Sequence, residues 1–278
     1  MIPLGFLLAC SGISPSPQVT SEPELTVAES PSLDVAGVGP TSVEVNGALT
    51  RAAAWASSYQ GDTRFDAVMM AWAIADVSEH PGWRDLDVRL RGELTDTDHE
   101  HTKLWMPDYQ LPIEHVHRWT APTDGSRINP NRVLTEALFC QDHGWRAQTT
   151  EYVCGAMRDD GRYHTTHGLW ALVLANRRGC VDRACADSLV EELESHQPDD
   201  LAPATTLDVD LYAERLLTVT LAEPDKAVIS AWAKTLIGAQ NGDGSWGMNT
   251  PADTSYPKYH ATSASAWALA TWRQVQGG

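Results

Sequence analysis

The segment Gln240-Asn-Gly-Asp-Gly-Ser-Trp246 and the run Thr262-Ser-Ala-Ser-Ala-Trp-Ala-Leu-Ala-Thr-Trp272 that follows it decide the fold class. Glycines allow the chain to turn tightly between two helices, and a glutamine amide can satisfy backbone groups left free at a helix end. An aromatic residue after the turn can pack against the next helix. The segment therefore predicts a connection between two packed helices.

A second segment repeats this pattern in weaker form. Asp159-Asp-Gly-Arg-Tyr163 has the same glycine turn followed by an aromatic residue, and the helical run Leu169-Trp-Ala-Leu172 comes soon after it. Gly161 and Gly244 lie 83 residues apart, which is about two periods of a 40-residue helical repeat. The spacing indicates a chain built from successive helix pairs.

Apolar periodicity and polar N-terminal residues predict five inner helices. Three of them lie near residues 65–75, 131–140 and 208–217, one follows the turn within residues 159–172, and one is the run 262–272. More polar segments that end in turn residues are the candidate outer helices. These are residues 48–59, 146–157, 183–196 and 225–240.

The pattern Q-x3-G-x-W resembles the repeat of squalene cyclases and related terpenoid cyclases. That resemblance implies an all-α fold, a single α/α toroid of about five or six helix pairs over residues 48–278. The region is too short for the two-domain body of a full squalene cyclase. The repeat is structural, so the resemblance implies an architecture and no reaction.

The N-terminus, Met1 to Cys10, resembles the end of a bacterial lipoprotein signal, with Leu7-Leu-Ala-Cys10 as the lipobox. The resemblance implies lipidation of Cys10 and a place in the bacterial cell envelope, on a periplasmic or surface face. Residues 11–47 contain five Pro, seven Ser and no aromatic residue, which predicts a disordered, flexible tether. A short apolar N-terminus with a chance cysteine is the alternative, and the true start codon can lie upstream.

Four cysteines remain in the domain: Cys140, Cys154, Cys180 and Cys185. An even number suits disulfides in an oxidising compartment. Short loops favour the pairs Cys140–Cys154 and Cys180–Cys185, although sequence alone leaves all three connectivities open. A zinc site made of the four thiolates is the alternative, without the usual C-x-x-C spacing.

Charge and motifs exclude several functions. The net charge of the chain is −17, and such a surface repels nucleic acid and anionic lipid. The sequence contains no nucleophile elbow, phosphate loop, His-Glu-x-x-His motif or dinucleotide fingerprint. The membrane is therefore expected as a partner only through the N-terminal lipid, and no nucleic acid is expected.

The eleven tryptophans divide by their surroundings. Those within inner helices are expected in the core: Trp72, Trp170 and Trp267. Those in irregular segments are expected to contact ligands: Trp83, Trp105, Trp119 and Trp145.

In a toroid the N-termini of the inner helices converge at one mouth of the central cavity, where helix dipoles and polar side chains meet. Alignment of the inner helices places five polar residues at that level: Asp66, Asn131, His164, Asp208 and His260. They could form a metal site, an acid–base pair or a ligand cradle. Simple helix capping by the aspartates and the asparagine is the alternative.

Tyr259-His-Ala-Thr262 and Asp208-Val-Asp210 resemble zinc-binding segments of protein prenyltransferase β subunits, although Asp210 stands where that family has a cysteine. The resemblance implies His164, Asp208 and His260 as metal ligands, zinc as the candidate cofactor, and Asp210 as a further catalytic candidate beside them. Asp208-Val-Asp210 is also similar to the general acid of squalene cyclases. Leu211 replaces the third aspartate there, which disfavours terpene cyclisation.

Two His-x-His pairs form a second metal candidate, because alternate residues of an extended strand point the same way. The pairs are His99 with His101 and His115 with His117. They bind one ion only if the two segments meet as a hairpin. Exposed loop histidines are the alternative.

Two functions are compatible with these features. The first is a binding protein that holds a peptide, a glycan or an apolar molecule in the cavity, with Asp66, Asn131, Trp105 and Trp119 as ligand contacts. The second is a metal-dependent periplasmic or surface hydrolase, lyase or transferase that uses His164, Asp208, Asp210 and His260. Binding is favoured because no complete catalytic set is recognisable.

Overall fold

A computed structural model describes residues 39–61, 63–94, 100–104, 108–120, 128–198, 205–247 and 255–277. This part of the chain is all-helical and contains no strand. The α-helices in chain order are α1 Ser42–Ala56, α2 Phe65–Ser78, α3 Pro81–Glu93, α4 Ile113–Val116, α5 Asn131–Leu138, α6 Cys140–His143, α7 Ala147–Tyr152, α8 Tyr163–Arg177, α9 Ala186–Ser195, α10 Thr206–Ala222, α11 Val228–Gly238 and α12 Tyr256–Val275.

Five of these helices, which we call the cavity helices, are α2, α5, α8, α10 and α12. They are the five predicted inner helices, and all five contribute side chains to one cavity. α12 packs between α2 and α10, and α8 packs between α10 and α5. α2 is apolar around most of its circumference, and α12 is rich in small residues (Ala, Ser and Thr) that allow close packing. Both helices are buried over almost their whole length.

The flanking helices are α1, α3, α9 and α11. α1 packs on α3 and α12, α9 packs on α8 and α10, and α11 packs on α10 and α12. α1 begins at Ser42 rather than near residue 48, because Thr41 and Glu44 form a capping box. The last residues of the expected tether therefore belong to a helix. α3, which the sequence pattern did not predict, begins with a proline at its first turn and buries Trp83.

The segment 240–246 joins three helices. Trp246 is fully buried, and its indole Nε1 donates to the carbonyl of Leu236 on α11 at 2.7 Å. The Gln240 amide donates to the carbonyls of Ala48 on α1 and Gly244, both at 2.9 Å. A Cβ on Gly244, whose φ is 92°, would lie 2.3 Å from the backbone oxygen of Arg51. The predicted turn and buried indole are confirmed.

The disulfides differ from the favoured pairing. Cys140 pairs with Cys180, and Cys154 pairs with Cys185, with Cα–Cα distances of 6.0 and 5.5 Å. The prediction was wrong because it paired cysteines that are close to each other in the sequence. α8 packs against α5 and α9, and this packing brings each distant cysteine beside its partner. All four thiols are used in this way, so they form no zinc tetrad.

None of the described helices combines the length and the apolar character that crossing a membrane requires. The predicted lipobox with Cys10, and the tether up to residue 38, lie outside the described residues.

Substitution of Trp246 tests the role of the repeat segment. Trp246→Ala should lower the free energy of unfolding by about 3–5 kcal/mol, as large aromatic truncations do in cores. Trp145→Ala, at a half-buried indole that donates to Thr150, should cost less. Urea denaturation followed by circular dichroism measures both. A loss below about 1 kcal/mol for Trp246→Ala would contradict the structural role.

Candidate functional site

A cavity of about 610 Å³ lies among the N-terminal halves of the cavity helices. Its lining positions recur every three or four residues along each helix, as one face of an α-helix requires. On α8 they are Tyr163, Thr166, His167 and Trp170; on α10 they are Thr206, Asp210, Glu214, Leu217 and Thr218; on α12 they are Tyr256, Pro257, His260, Ala264 and Trp267.

The inner part of the cavity is apolar and aromatic. Met69, Met70 and Leu134 line it together with Trp170 and Trp267. The two indole rings meet edge to face, with centroids 5.3 Å apart. Both indoles also line a smaller apolar pocket with Trp72 and Leu221, so the two rings stand between the two spaces.

The polar part is a cluster of three side chains from α10 and α12. One ligand atom from each of Asp210, Glu214 and His260 lies within 4.8 Å of the others. The Nδ1 atom of His260 lies 2.7 Å from Oδ1 of Asp210. Asp210 and Glu214 are four residues apart on α10, which places both carboxyl groups on the same helix face.

Hydroxyl groups of α8 hold the two acids. The Tyr163 hydroxyl donates to Oδ2 of Asp210 at 2.6 Å, and the Thr166 hydroxyl donates to Oε2 of Glu214 at 2.7 Å. The Nδ1 atom of His167 is 3.6 Å from the same Glu214 oxygen. The cluster therefore joins α8, α10 and α12 through hydrogen bonds.

A third acid, Asp66, lies on the α2 side of the cavity. The Tyr256 hydroxyl donates to Oδ2 of Asp66 at 3.3 Å. The guanidinium of Arg64 lies over the Tyr256 ring, 4.5 Å from its centroid, and the Tyr256 and His260 rings meet edge to face at 5.9 Å. Tyr256 thus connects Asp66 to the three-residue cluster.

Burial and neighbouring charges shift the pKa values of the cluster. Burial, with the Asp210 charge adding to it, raises the pKa of Glu214 well above the usual carboxyl range. Burial by itself lowers the pKa of His260, but the charge and hydrogen bond of Asp210 outweigh it and raise that pKa to about 9. At neutral pH His260 is therefore an imidazolium paired with Asp210, and Glu214 is largely protonated.

The tyrosines of the cavity remain neutral. Burial and the Asp210 carboxylate raise the pKa of Tyr163, and burial and Asp66 raise the pKa of Tyr256. Both hydroxyls consequently stay hydrogen-bond donors over the whole physiological range. The arrangement offers a protonated carboxyl, an imidazolium and two fixed hydroxyls around an apolar space, which suits ligand binding or proton transfer.

The same three side chains could hold a metal ion. One imidazole and two carboxylates are a donor set found at catalytic zinc sites with an open position. Within the described residues, Asp210, Glu214 and His260 are the one group with this proximity.

Four of the sequence-predicted site residues line the cavity: Asp66, Asn131, Asp210 and His260. Two others do not. His164 points its Nε2 to the carbonyl of Ile128 at 3.1 Å, and Asp208 forms the capping box of α10 with Thr205. His164 and Asp208 lie near the N-termini of their helices, as expected, but on faces that do not line the cavity. Successive residues of an α-helix are rotated by about 100°, so His164 is about 100° from Tyr163 and Asp208 is about 200° from Asp210. The predicted set of His164, Asp208 and His260 is therefore replaced by Asp210, Glu214 and His260.

The second histidine candidate does not have the predicted strand geometry. His115 lies exposed on α4, and His117 follows that helix with its Nε2 3.3 Å from the carbonyl of Gly144. His99 lies outside the described residues, as does the side chain of His101.

Trp119 is also not a cavity residue. It is buried against Tyr152, with ring centroids 5.4 Å apart, and Arg146 lies over its ring. Trp83 is fully buried in α3, and Trp105 lies outside the described residues. The prediction of ligand contacts was therefore wrong at Trp83 and Trp119. Trp72 and Trp267 are buried in the core as expected, although Trp267 also lines the cavity, and Trp170 is half-buried and lines the cavity.

The sequence pattern alone did not identify Glu214, Tyr163, Thr166, His167 and Tyr256. A usable signal was present in α10, where Asp210 and Glu214 are two acids four residues apart inside an apolar helix. The positions three, four and seven residues before Trp170 similarly give His167, Thr166 and Tyr163.

No protein-family model matches the chain, and neither curated proteins nor solved structures give a significant match. The case for function consequently depends on the cavity itself.

The His260–Asp210 pair predicts a stability that falls as pH rises. The pKa of His260 in the folded protein is about 9, above the ordinary value near 6.5. The stabilisation of the fold by protonated His260 is therefore complete below about pH 6.5 and is lost as pH rises through 9. The raised pKa of Glu214 acts in the same direction. Between these limits the free energy of unfolding should fall by about 1–3 kcal/mol more than in His260→Gln.

Urea denaturation at several pH values measures this difference, with His115→Gln on exposed α4 as the matched control. If the free energy of unfolding changes with pH in the unsubstituted protein as it does in His260→Gln, the imidazolium does not contribute to stability.

Proposed function

We propose that the chain is an envelope-located α/α-toroid protein that binds a small, largely apolar molecule in the cavity, with the polar end of that molecule at Asp210, Glu214 and His260. The observation that carries the proposal is the cavity of about 610 Å³, apolar at its inner end and polar where Asp210, Glu214 and His260 meet. Small-molecule sites in proteins usually have about 300–1,000 Å³ and this division of surface.

The toroid part of the proposal has two supports. The segment 240–246 resembles the repeat of terpenoid cyclases, and the five cavity helices all face one space. The location is supported by the lipobox resemblance at Cys10 and by two disulfides, which suit an oxidising compartment. Release of the domain from the membrane fraction by Cys10→Ser would test the anchor.

Among the ligands that the sequence left open, the cavity favours an apolar molecule over a glycan or a peptide. Its inner walls are methionine, leucine and tryptophan side chains, which offer few hydrogen-bond partners for the many hydroxyls of a sugar. A folded or extended peptide of several residues would also exceed the available volume. The polar cluster then orients one end of the ligand.

Filling the cavity should abolish binding. Ala264 lines the cavity and is 1% exposed, so Ala264→Phe places a ring in the ligand space. Affinity for the neutral fluorescent probe N-phenyl-1-naphthylamine should fall by about tenfold or more, because the probe and the ring compete for one volume. Fluorescence titration measures the affinity.

Ala54→Phe is the matched control, because Ala54 is exposed on α1. Circular dichroism shows whether each variant is folded. Equal probe binding by folded Ala264→Phe and by the control would contradict binding in the cavity.

A metal-dependent enzyme is the second candidate, favoured by the 4.8 Å cluster of Asp210, Glu214 and His260. A bound divalent ion would supply a Lewis acid, and the apolar cavity beside it would hold the substrate. Metal analysis of the purified protein and of Glu214→Gln decides between the two functions. Stoichiometric zinc that Glu214→Gln removes would favour the enzyme, and metal-free protein that binds the probe would favour the binding protein.

A further inference from the structure

Acidic side chains outnumber basic side chains in the lining of the cavity. Its walls carry three carboxyl groups, Asp66, Asp210 and Glu214, and its described lining includes neither Lys nor Arg. Of the basic groups near them, His260 is paired with Asp210 at 2.7 Å, and the Nδ1 atom of His167 lies 3.6 Å from Glu214. Arg64 stacks on the Tyr256 ring and is not a lining residue. An anionic ligand would therefore meet mainly acidic groups, and its burial would be costly.

The aromatic rings of the cavity form a connected wall. On α8 the Tyr163 and His167 rings are 6.5 Å apart, and the His167 and Trp170 rings are 6.4 Å apart. Trp267 continues the wall across to α12, with its ring 5.3 Å from Trp170. Tyr256 adds a further ring near Asp66.

These two observations fit one chemical class. The faces of Trp and Tyr rings attract cations, and aromatic cavities of this type recognise organic ammonium groups. Carboxyl oxygens accept hydrogen bonds from ammonium groups that carry an N–H and, when ionised, also attract quaternary ammonium groups by charge. The methionine and leucine side chains at the inner end suit an alkyl or aryl body attached to such a group.

We infer that the cavity selects organic cations, namely ammonium compounds with an apolar body, through the aromatic wall and the carboxyl groups of Asp66, Asp210 and Glu214. This inference depends on the proposed binding function and makes its ligand class specific. The net charge of −17 acts in the same sense, because it attracts cations to the protein surface.

Three ligands with the same six-carbon chain test the inference: hexyltrimethylammonium, hexan-1-ol and hexanoate. Isothermal titration calorimetry is performed in the presence of EDTA, so that no divalent ion occupies the carboxyl groups. Hexyltrimethylammonium should bind at least about tenfold more tightly than hexan-1-ol, since a desolvated cation on aromatic faces gains roughly this much. Hexanoate should bind most weakly.

Two substitutions locate the selectivity. Asp66→Asn keeps the size of the side chain and removes a carboxylate, so it should lower the ratio of ammonium to alcohol affinity severalfold. Glu214 is largely protonated in the free protein, and a bound cation would favour release of its proton to solvent. Glu214→Gln removes this ionisable group at constant size, so it should lower the ratio as well. Measurable binding of hexan-1-ol by each variant would show that the cavity is intact. Glu191→Gln, on the exposed face of α9, is the matched control and should leave the ratio unchanged.

The outcomes separate this inference from the proposed function. Equal or tighter binding of hexan-1-ol or hexanoate would overturn the selectivity for cations and leave an apolar binding cavity. If none of the three ligands and no probe binds, the proposed binding function fails as well. Retention of the full affinity ratio in both folded variants would also overturn the inference.

Discussion

The contact on which the site depends is the carboxylate of Asp210, held between two other helices. Tyr163 of α8 donates to one of its oxygens, and His260 of α12 contacts the other at 2.7 Å. A carboxylate in this place would be costly without those partners, because burial removes its hydration. The two contacts offset that cost and also fix the relative positions of α8, α10 and α12. The same contacts therefore position the cluster and keep the cavity open between the helices.

This arrangement gives two neighbouring acids different partners. Asp210 has a tyrosine hydroxyl and an imidazolium as partners. Glu214, one turn further along α10, accepts from a threonine hydroxyl and faces the charge of Asp210. Two acids at the same helix face cannot both ionise cheaply in a low dielectric, and the one with the weaker partner keeps its proton. The difference arises from the partners on α8 and α12 and not from residue type.

The sequence predicted the helices better than it predicted the site, for a reason visible in α8 and α10. Apolar periodicity and glycine turns act over a few residues, so the positions of the cavity helices and the burial of Trp246 could be predicted. The site depends on helical phase. Position along the helix axis predicted His164 and Asp208 as site residues. The residues that line the cavity are Tyr163 and Asp210, which lie one and two positions away in the sequence. The disulfides were mispredicted because Cys140 and Cys180 meet only after α8 has packed against α5.

The tryptophans show how position on a helix changes function without any change in residue type. Trp246 satisfies its indole nitrogen on the Leu236 carbonyl and serves packing alone. Trp170 and Trp267, from helices that flank α10, turn toward the cavity and meet edge to face. Trp170 is half-buried and borders the cavity, whereas Trp246 is fully buried in the core. In the proposed function, such a cavity would distinguish ligands by shape at its inner end and by charge at its polar end. Apolar burial would supply most of the affinity there, and the acids would decide which end of the ligand lies beside them.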